Sequence, residues 1–198
     1  MGVFNDIKHC VDWQTVKRCK NYNHKLPLWM TIPKKCRIMM VSQAPSGPAS
    51  NKQILADKTN RTFLQVLKIL DINETTFKKY VYWTHYAKCY PGAKKGGDEI
   101  PTIYCADKYL RAEFDLCKPK FVLGVGGCAS RFVYSKFVEP EILKTRVKFK
   151  NIRNKPITRN GIVYVFIKHP SAAAVKTQED IRFVTELLLG LIRKAIKS

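Results

Sequence analysis

The chain has 198 residues, 45% hydrophobic and 26% charged, ordinary proportions for one folded domain with a sizeable core. No apolar stretch approaches the ~20 residues that cross a bilayer as a helix, so a membrane role is not expected. Thirty-six Lys and Arg against 15 Asp and Glu give a net charge of +21. Such a field favours a polyanionic partner, and nucleic acid fits best because neutralising its phosphates releases counterions. An anionic membrane surface or an acidic protein is the alternative reading of the charge.

In chain order, the start Met1-Gly2-Val3-Phe4-Asn5-Asp6 has no signal-peptide core, and Asp6 stands where a myristoylation signal needs Ser or Thr. A cytoplasmic protein is expected. Residues 1–35 read as a short helix around 11–19 and then an irregular arm with Pro27 and Pro33. A buried strand over 36–41 stops in the small-residue loop Ser42-Gln43-Ala44-Pro45-Ser46-Gly47. Residues 60–70 place apolar side chains at 63, 64, 66, 67 and 70, a helical period. A second strand over 80–86 exits through Cys89-Tyr90-Pro91-Gly92, and 102–116 read as a helix ending before Lys118-Pro119. The third strand, 121–125, runs into Gly126-Gly127-Cys128-Ala129-Ser130, a strand-to-helix turn whose backbone N–H groups suit a phosphate. Asn160-Gly161 signals a hairpin between short strands. The apolar run 162–167 ends at His169-Pro170-Ser171-Ala172-Ala173-Ala174, and 181–196 form a terminal amphipathic helix. Neither repeats nor a linker interrupt this order, so residues 1–198 read as a single domain. Strands alternating with helices predict a mostly parallel sheet covered on both faces.

Two of these loops follow buried strands and combine small residues with a glutamine or a histidine. In open α/β sheets ligands bind where loops leave the carboxyl ends of strands. Small side chains admit a ligand to the backbone, and histidine supplies titratable chemistry. The loops at Gln43 and His169 are therefore expected to share one pocket. Of the seven cysteines, Cys36, Cys117 and Cys128 lie in or beside apolar runs and read as core. Cys10, Cys19, Cys89 and Cys105 lie in polar, lysine-rich surroundings, spaced C-x8-C and C-x15-C. They read either as a thiolate cage for zinc or an iron–sulfur cluster, or as scattered thiols.

The order of these pieces resembles the uracil-DNA glycosylase superfamily, most closely its iron–sulfur branch, family four. That family's strand into Gly-Glu-Ala-Pro-Gly is matched by Ser42-Gln43-Ala44-Pro45-Ser46. Its strand ending Thr-Asn, followed by Val-Val-Lys-Cys, is matched by Thr84-His85-Tyr86-Ala87-Lys88-Cys89, with Cys105 sixteen positions on. Its Lys-Pro-Lys, apolar strand and Leu-Gly-Ala-Thr-Ala turn resemble Lys118-Pro119-Lys120, residues 121–125 and Gly126 to Ala129. Its Lys-Pro-Ile, Asn-Gly and His-Pro-Ser-Ala-Ala run resembles Lys155-Pro156-Ile157, Asn160-Gly161 and His169 to Ala173.

The resemblance implies a central, mostly parallel four-stranded sheet flanked by helices, and a monomeric, nucleoid-associated DNA repair enzyme. It would excise uracil, or another deaminated base, after flipping the nucleotide out of the stack. It also implies a structural [4Fe-4S] cluster on Cys10, Cys19, Cys89 and Cys105. His169 would hydrogen-bond a base oxygen as negative charge develops, while Gln43, Ala44, Pro45 and Ser46 wall the base and orient water. Ser171, Ala172, Ala173 and Gly127 would face DNA, and His85 would read the base. Three departures matter. Gln43 replaces a glutamate, with Asp57 as a substitute carboxylate close by. His85 replaces an asparagine, whose amide reads donor and acceptor together. Ile54-Leu55-Ala56 occupies the stretch where the family has a base-stacking aromatic. The alternatives are a catalytically weak or inactive DNA-binding relative with the same fold and cluster, and an unrelated RNA-modifying or nucleotide-binding α/β protein.

Overall fold

The computed structural model describes residues 6–7, 10, 30–45, 61–94, 97–142, 146–169 and 178–198. The helix expected around 11–19 lies outside them. Five strands form the central sheet in the spatial order β2 (Val81–His85), β1 (Ile38–Ser42), β5 (Phe121–Val125), β7 (Ile162–Ile167) and β6 (Ile157–Arg159). A separate antiparallel pair joins β3 (Ala93–Lys94) to β4 (Gly97–Asp98). β1 lies between β2 and β5 and is parallel to both, and β7 is parallel to β5. Four parallel strands thus match the expected count. The fifth is an antiparallel edge added by the Asn160-Gly161 hairpin, whose two turn residues have φ of 50° and 73°. Positive φ at both positions is the type I′ geometry that matches strand twist.

Side chains alternate across β2, and their partners show which helix covers which face. Trp83 points toward α1 (Arg61–Leu70) and α2 (Glu74–Tyr80), where its ring stacks on Phe63 at 6.4 Å and meets Phe77 at 6.4 Å. Tyr82 and Thr84 point the other way, to Glu113 of α3 (Arg111–Cys117). α1 buries Phe63, Val66 and Leu70 at the predicted spacing, while Leu64 is left exposed. α3 follows a π-helical turn (Ala106–Leu110) and stops at Lys118 in the left-handed region, before Pro119, as the Lys-Pro signal requires. α4 (Gly127–Val133) follows β5 and continues as a π-helical turn to Val138. A short α5 (Phe149–Ile152) precedes the hairpin, and α6 (Gln178–Arg182) leads through a π-helical stretch (Phe183–Leu188) into α7 (Leu189–Lys197).

The four parallel strands are buried almost throughout: Ile38, Val81, Leu123, Val165 and Phe166 expose nothing. Cys36 and Cys117 are buried with their sulfurs 2.8 Å apart, and Cys128 is half-buried. The chain runs from β1 outward to β2 on one side and then to β5 on the other. The strand order therefore reverses beside β1, which makes the carboxyl ends of β1 and β5 the topological switch point where such sheets bind ligands.

Candidate active site

Three chain segments meet at that switch point. Gln43 follows β1, Gly126 follows β5, and His169 lies just past β7. Gly126 has φ of +85°, a conformation open to glycine. A Cβ placed on it would lie 3.8 Å from Gln43 Oε1 and 4.0 Å from the Cβ of His169. Gln43 Oε1 and the Cβ of His169 thus both border the small space that a side chain at Gly126 would fill. Backbone bonds fix its rim. Gly126 donates to the Ile167 carbonyl at 2.9 Å, Tyr86 to that of Ser42 at 2.7 Å, and Ala87 to that of Gln43 at 3.0 Å. Gln43 and Ala44 are half-buried and Pro45 is buried, so the first loop forms a wall at its start. Gly127, half-buried, opens α4 beside Gly126.

His85 ends β2, in register with Ser42 of β1. It is 3% exposed, its ring lies 5.5 Å from that of Trp83, and its Nδ1 has no hydrogen-bond partner among the described residues. Burial, then the Lys88 ammonium, then His169 push its pKa down to about 3. The ring is therefore neutral at any ordinary pH, and it feels the charge of His169. Trp83 beside it is held by Nε1 donating to Ser42 Oγ at 2.7 Å. Ser42, Trp83, Ile167 and His169 line one small hollow on the α1 side of the sheet.

Beneath His85 lies a fully buried charge pair that sequence reading missed. Lys88 Nζ donates to both Glu113 carboxylate oxygens at 2.8 Å, to Thr84 Oγ1 at 2.6 Å and to the His85 carbonyl at 3.0 Å. The Tyr82 hydroxyl adds a bond to Glu113 at 2.7 Å. In the sequence Lys88 is set apart only by its place just after a buried strand, in the segment matched to the family's Val-Val-Lys-Cys, and neither signal shows that it is buried or names its partner. Asp180 is a second such group, 6% exposed and paired with Lys168 and Arg153.

Ser46, Ser171, Ala172, Ala173, Asp57 and residues 54–56 lie outside the described residues, as does Cys19. Cys10 is half-buried, and its thiol is hydrogen-bonded to the Tyr109 hydroxyl, which burial and this bond push up in pKa. Tyr109 shares a small second core with Cys105 and Ile7. Cys10 and Cys105 thus sit around one tyrosine. Cys89 is half-buried and packs against the main core. Among the described residues no group of three or more His, Cys, Asp or Glu side chains is close enough to hold a metal ion. The donor chemistry of the sulfurs suits an iron–sulfur cluster, and half of the expected ligand set is drawn together at Tyr109.

The fold and the gap at the switch point define a class. Residues 30–189 match the family model of the uracil DNA glycosylase superfamily, and the chain belongs to that superfamily, as an enzyme of the DNA glycosylase class. Among curated proteins it is similar to the type-4 uracil-DNA glycosylase of Sulfurisphaera tokodaii. The two are 26% identical over 164 residues, covering 78% of this chain and 71% of the relative. No described helix is long and apolar enough to cross a membrane.

Proposed function

We propose that this protein hydrolyses the N-glycosidic bond of uracil in DNA, taking the nucleotide out of the stack and into the gap above Gly126. The observation that carries the proposal is the meeting of Gln43 and His169 across that gap, together with the type-4 relative. As the bond breaks, its electron pair leaves with the base and the sugar becomes cationic; water then adds to the sugar carbon and loses a proton, which neutralises the departed base anion. His169 donates a hydrogen bond to a base oxygen as negative charge grows there. The Gln43 amide orients the water without adding charge, Ala44 and Pro45 wall the base, and Ser46 completes that loop. His85 contacts the base edge, and Gly127, Ser171, Ala172 and Ala173 face the DNA backbone and the vacated stack. Hypoxanthine and xanthine are further substrates on this reading, because a neutral imidazole presents its donor and acceptor in diverging directions. The mechanism is monofunctional: Lys88 and Lys168, adjoining the site in sequence, are ion-paired with Glu113 and Asp180 rather than poised as amine nucleophiles.

The test is incubation with single- and double-stranded DNA carrying one uracil, hypoxanthine or xanthine, followed by alkaline cleavage of abasic sites. Excision of uracil is expected, falling on the order of 100-fold in His169→Ala, the scale set by losing one donor to a developing anion. DNA binding with no product from any base would instead mark a non-catalytic relative.

On the same reading, Cys10, Cys19, Cys89 and Cys105 hold a structural [4Fe-4S] cluster that ties the N-terminal arm to the loop after β2. The cluster supplies rigidity and takes no part in the bond cleavage. Anaerobic purification should give a brown protein with about four irons per chain; an iron-free, colourless protein that still excises uracil would refute the cluster. The whole chain is read as one monomeric domain acting on DNA in the cytoplasm, which gel filtration with light scattering checks for the monomer.

A further inference from the structure

We propose that Asp180 is a positioning residue for His169, a buried carboxylate that clamps the exit of β7. The inference rests on the reading of His169 as the residue that meets the departing base.

A carboxylate only 6% exposed is unfavourable unless its oxygens are met by donors. Asp180 is met by three side chains from two segments. Asn154 Nδ2 donates to Oδ1 at 2.8 Å, Lys168 Nζ lies 3.0 Å from Oδ2, and Arg153 Nε lies 3.1 Å from Oδ1 as a charge contact rather than an aligned hydrogen bond. Lys168 immediately precedes His169. The turn carrying Arg153 and Asn154 is itself bonded to β7, because the Asn154 amide donates to the Phe166 carbonyl at 2.9 Å. Asn154 adopts φ of 58° there, a left-handed conformation that asparagine tolerates better than most residues. Asp180 stands in the first turn of α6, where a negative charge complements the helix dipole.

The exit of β7 is thus gripped twice, through the Phe166 carbonyl within the strand and through the Lys168 ammonium just past it. Both grips end in the same Arg153-Asn154-Asp180 cluster. The chain leaves β7 at Ile167 and has a single residue, Lys168, before the imidazole. Fixing Lys168 therefore fixes the direction from which His169 enters the gap. A displacement of an ångström at a reacting group can cost about 100-fold in rate, so a clamp of this kind acts on the chemical step without touching substrate.

The experiment is a mutant cycle under single-turnover conditions with enzyme saturating a uracil-containing duplex, so that DNA affinity drops out. Wild type, Asp180→Asn, His169→Ala and the double variant are compared. Lys168→Met is run in parallel as a milder variant that leaves Asp180 its contacts with Arg153 and Asn154. Hydrogen exchange of the peptide 162–169 is followed for every protein. Asp180→Asn is expected to slow excision at least tenfold in the wild-type background and less than twofold in the His169→Ala background. Exchange should quicken at the end of β7 while β1 and β5 stay protected. Equal slowing in both backgrounds, or none, would overturn the clamp. If the wild-type protein excises no uracil, the proposed function fails. The exchange data then decide the clamp alone: quicker exchange at the end of β7 keeps it, and unchanged exchange ends it.

Discussion

An imidazole that is 3% exposed, has no partner for Nδ1 among the described residues and lies beside an ammonium does not keep a proton. The consequence for stability follows from linkage. In the unfolded chain His85 protonates below pH 6.5, whereas the folded protein holds it neutral to about pH 3. Between those values the unfolded state binds the extra proton, so stability falls by about 1.4 kcal/mol per pH unit on acidification from this residue alone. Above pH 6.5 both states are neutral and the effect vanishes. His85→Asn should remove that acid sensitivity, visible as a flatter dependence of the urea midpoint on pH from 6.5 downward. The same substitution tests base selection. An asparagine amide offers donor and acceptor on one edge, so the ratio of uracil to hypoxanthine excision should rise in His85→Asn. A ratio unchanged in the variant would remove His85 from base reading.

The end of β2 shows what a run of residues reveals in sequence and what it hides. Residues 121–125 read as a strand and form one over the same bounds, because a continuous apolar run between Lys-Pro and Gly-Gly has few other solutions. β1 runs from Ile38 to Ser42, two residues later at its start than its apolar signal and one later at its end. α2 gave no periodic signal, since only Phe77 of its seven residues is buried. The helix and its cap, Asn73, whose side chain accepts from the Thr76 amide at 2.8 Å, emerge only in the structure. The pairing of the Gln43 loop with His169 could be read because both loops follow apolar strands. The Lys88–Glu113 pair could not, because burial of a lysine is decided by a partner on another element. Both members are 1% exposed, so removing one strands a charge in the core. Lys88→Met should cost about 3–5 kcal/mol in urea unfolding. Adding Glu113→Leu should recover at least half of that loss, since an apolar pair needs no compensation. A double variant no more stable than the single one would show that the Tyr82 and Thr84 hydroxyls, rather than the charge pair, set the cost.

At the scale of the whole molecule, the sheet and the surface charge point to the same partner. Every parallel strand delivers its carboxyl end to one side, where the connections after β1 and β5 leave in opposite directions, and under the proposed function a nucleotide entering there brings its phosphates with it. The surface has the charge to receive them. Acidic side chains such as Asp71, Asp107, Asp115 and Glu186 are already engaged by Arg193, Lys136, Arg111 and Arg182. Since 36 basic groups face 15 acidic ones, a net +21 remains for an external anion however the internal pairs are arranged. Exposed ion pairs of this kind contribute little to stability, so the excess is better understood as a binding field than as a scaffold. Binding through such a field releases counterions, and each phosphate contacted lowers the slope of log affinity against log salt by about 0.9. Five contacts would weaken binding on the order of 100-fold or more between 50 and 200 mM salt. Fluorescence anisotropy with a duplex bearing a non-cleavable abasic analogue measures this directly. The slope should be nearly the same for undamaged DNA, because the phosphates carry it, while the base in the gap adds an offset that salt leaves alone. A flat response to salt would mean that the positive surface serves some other anion and that the gap alone holds the DNA.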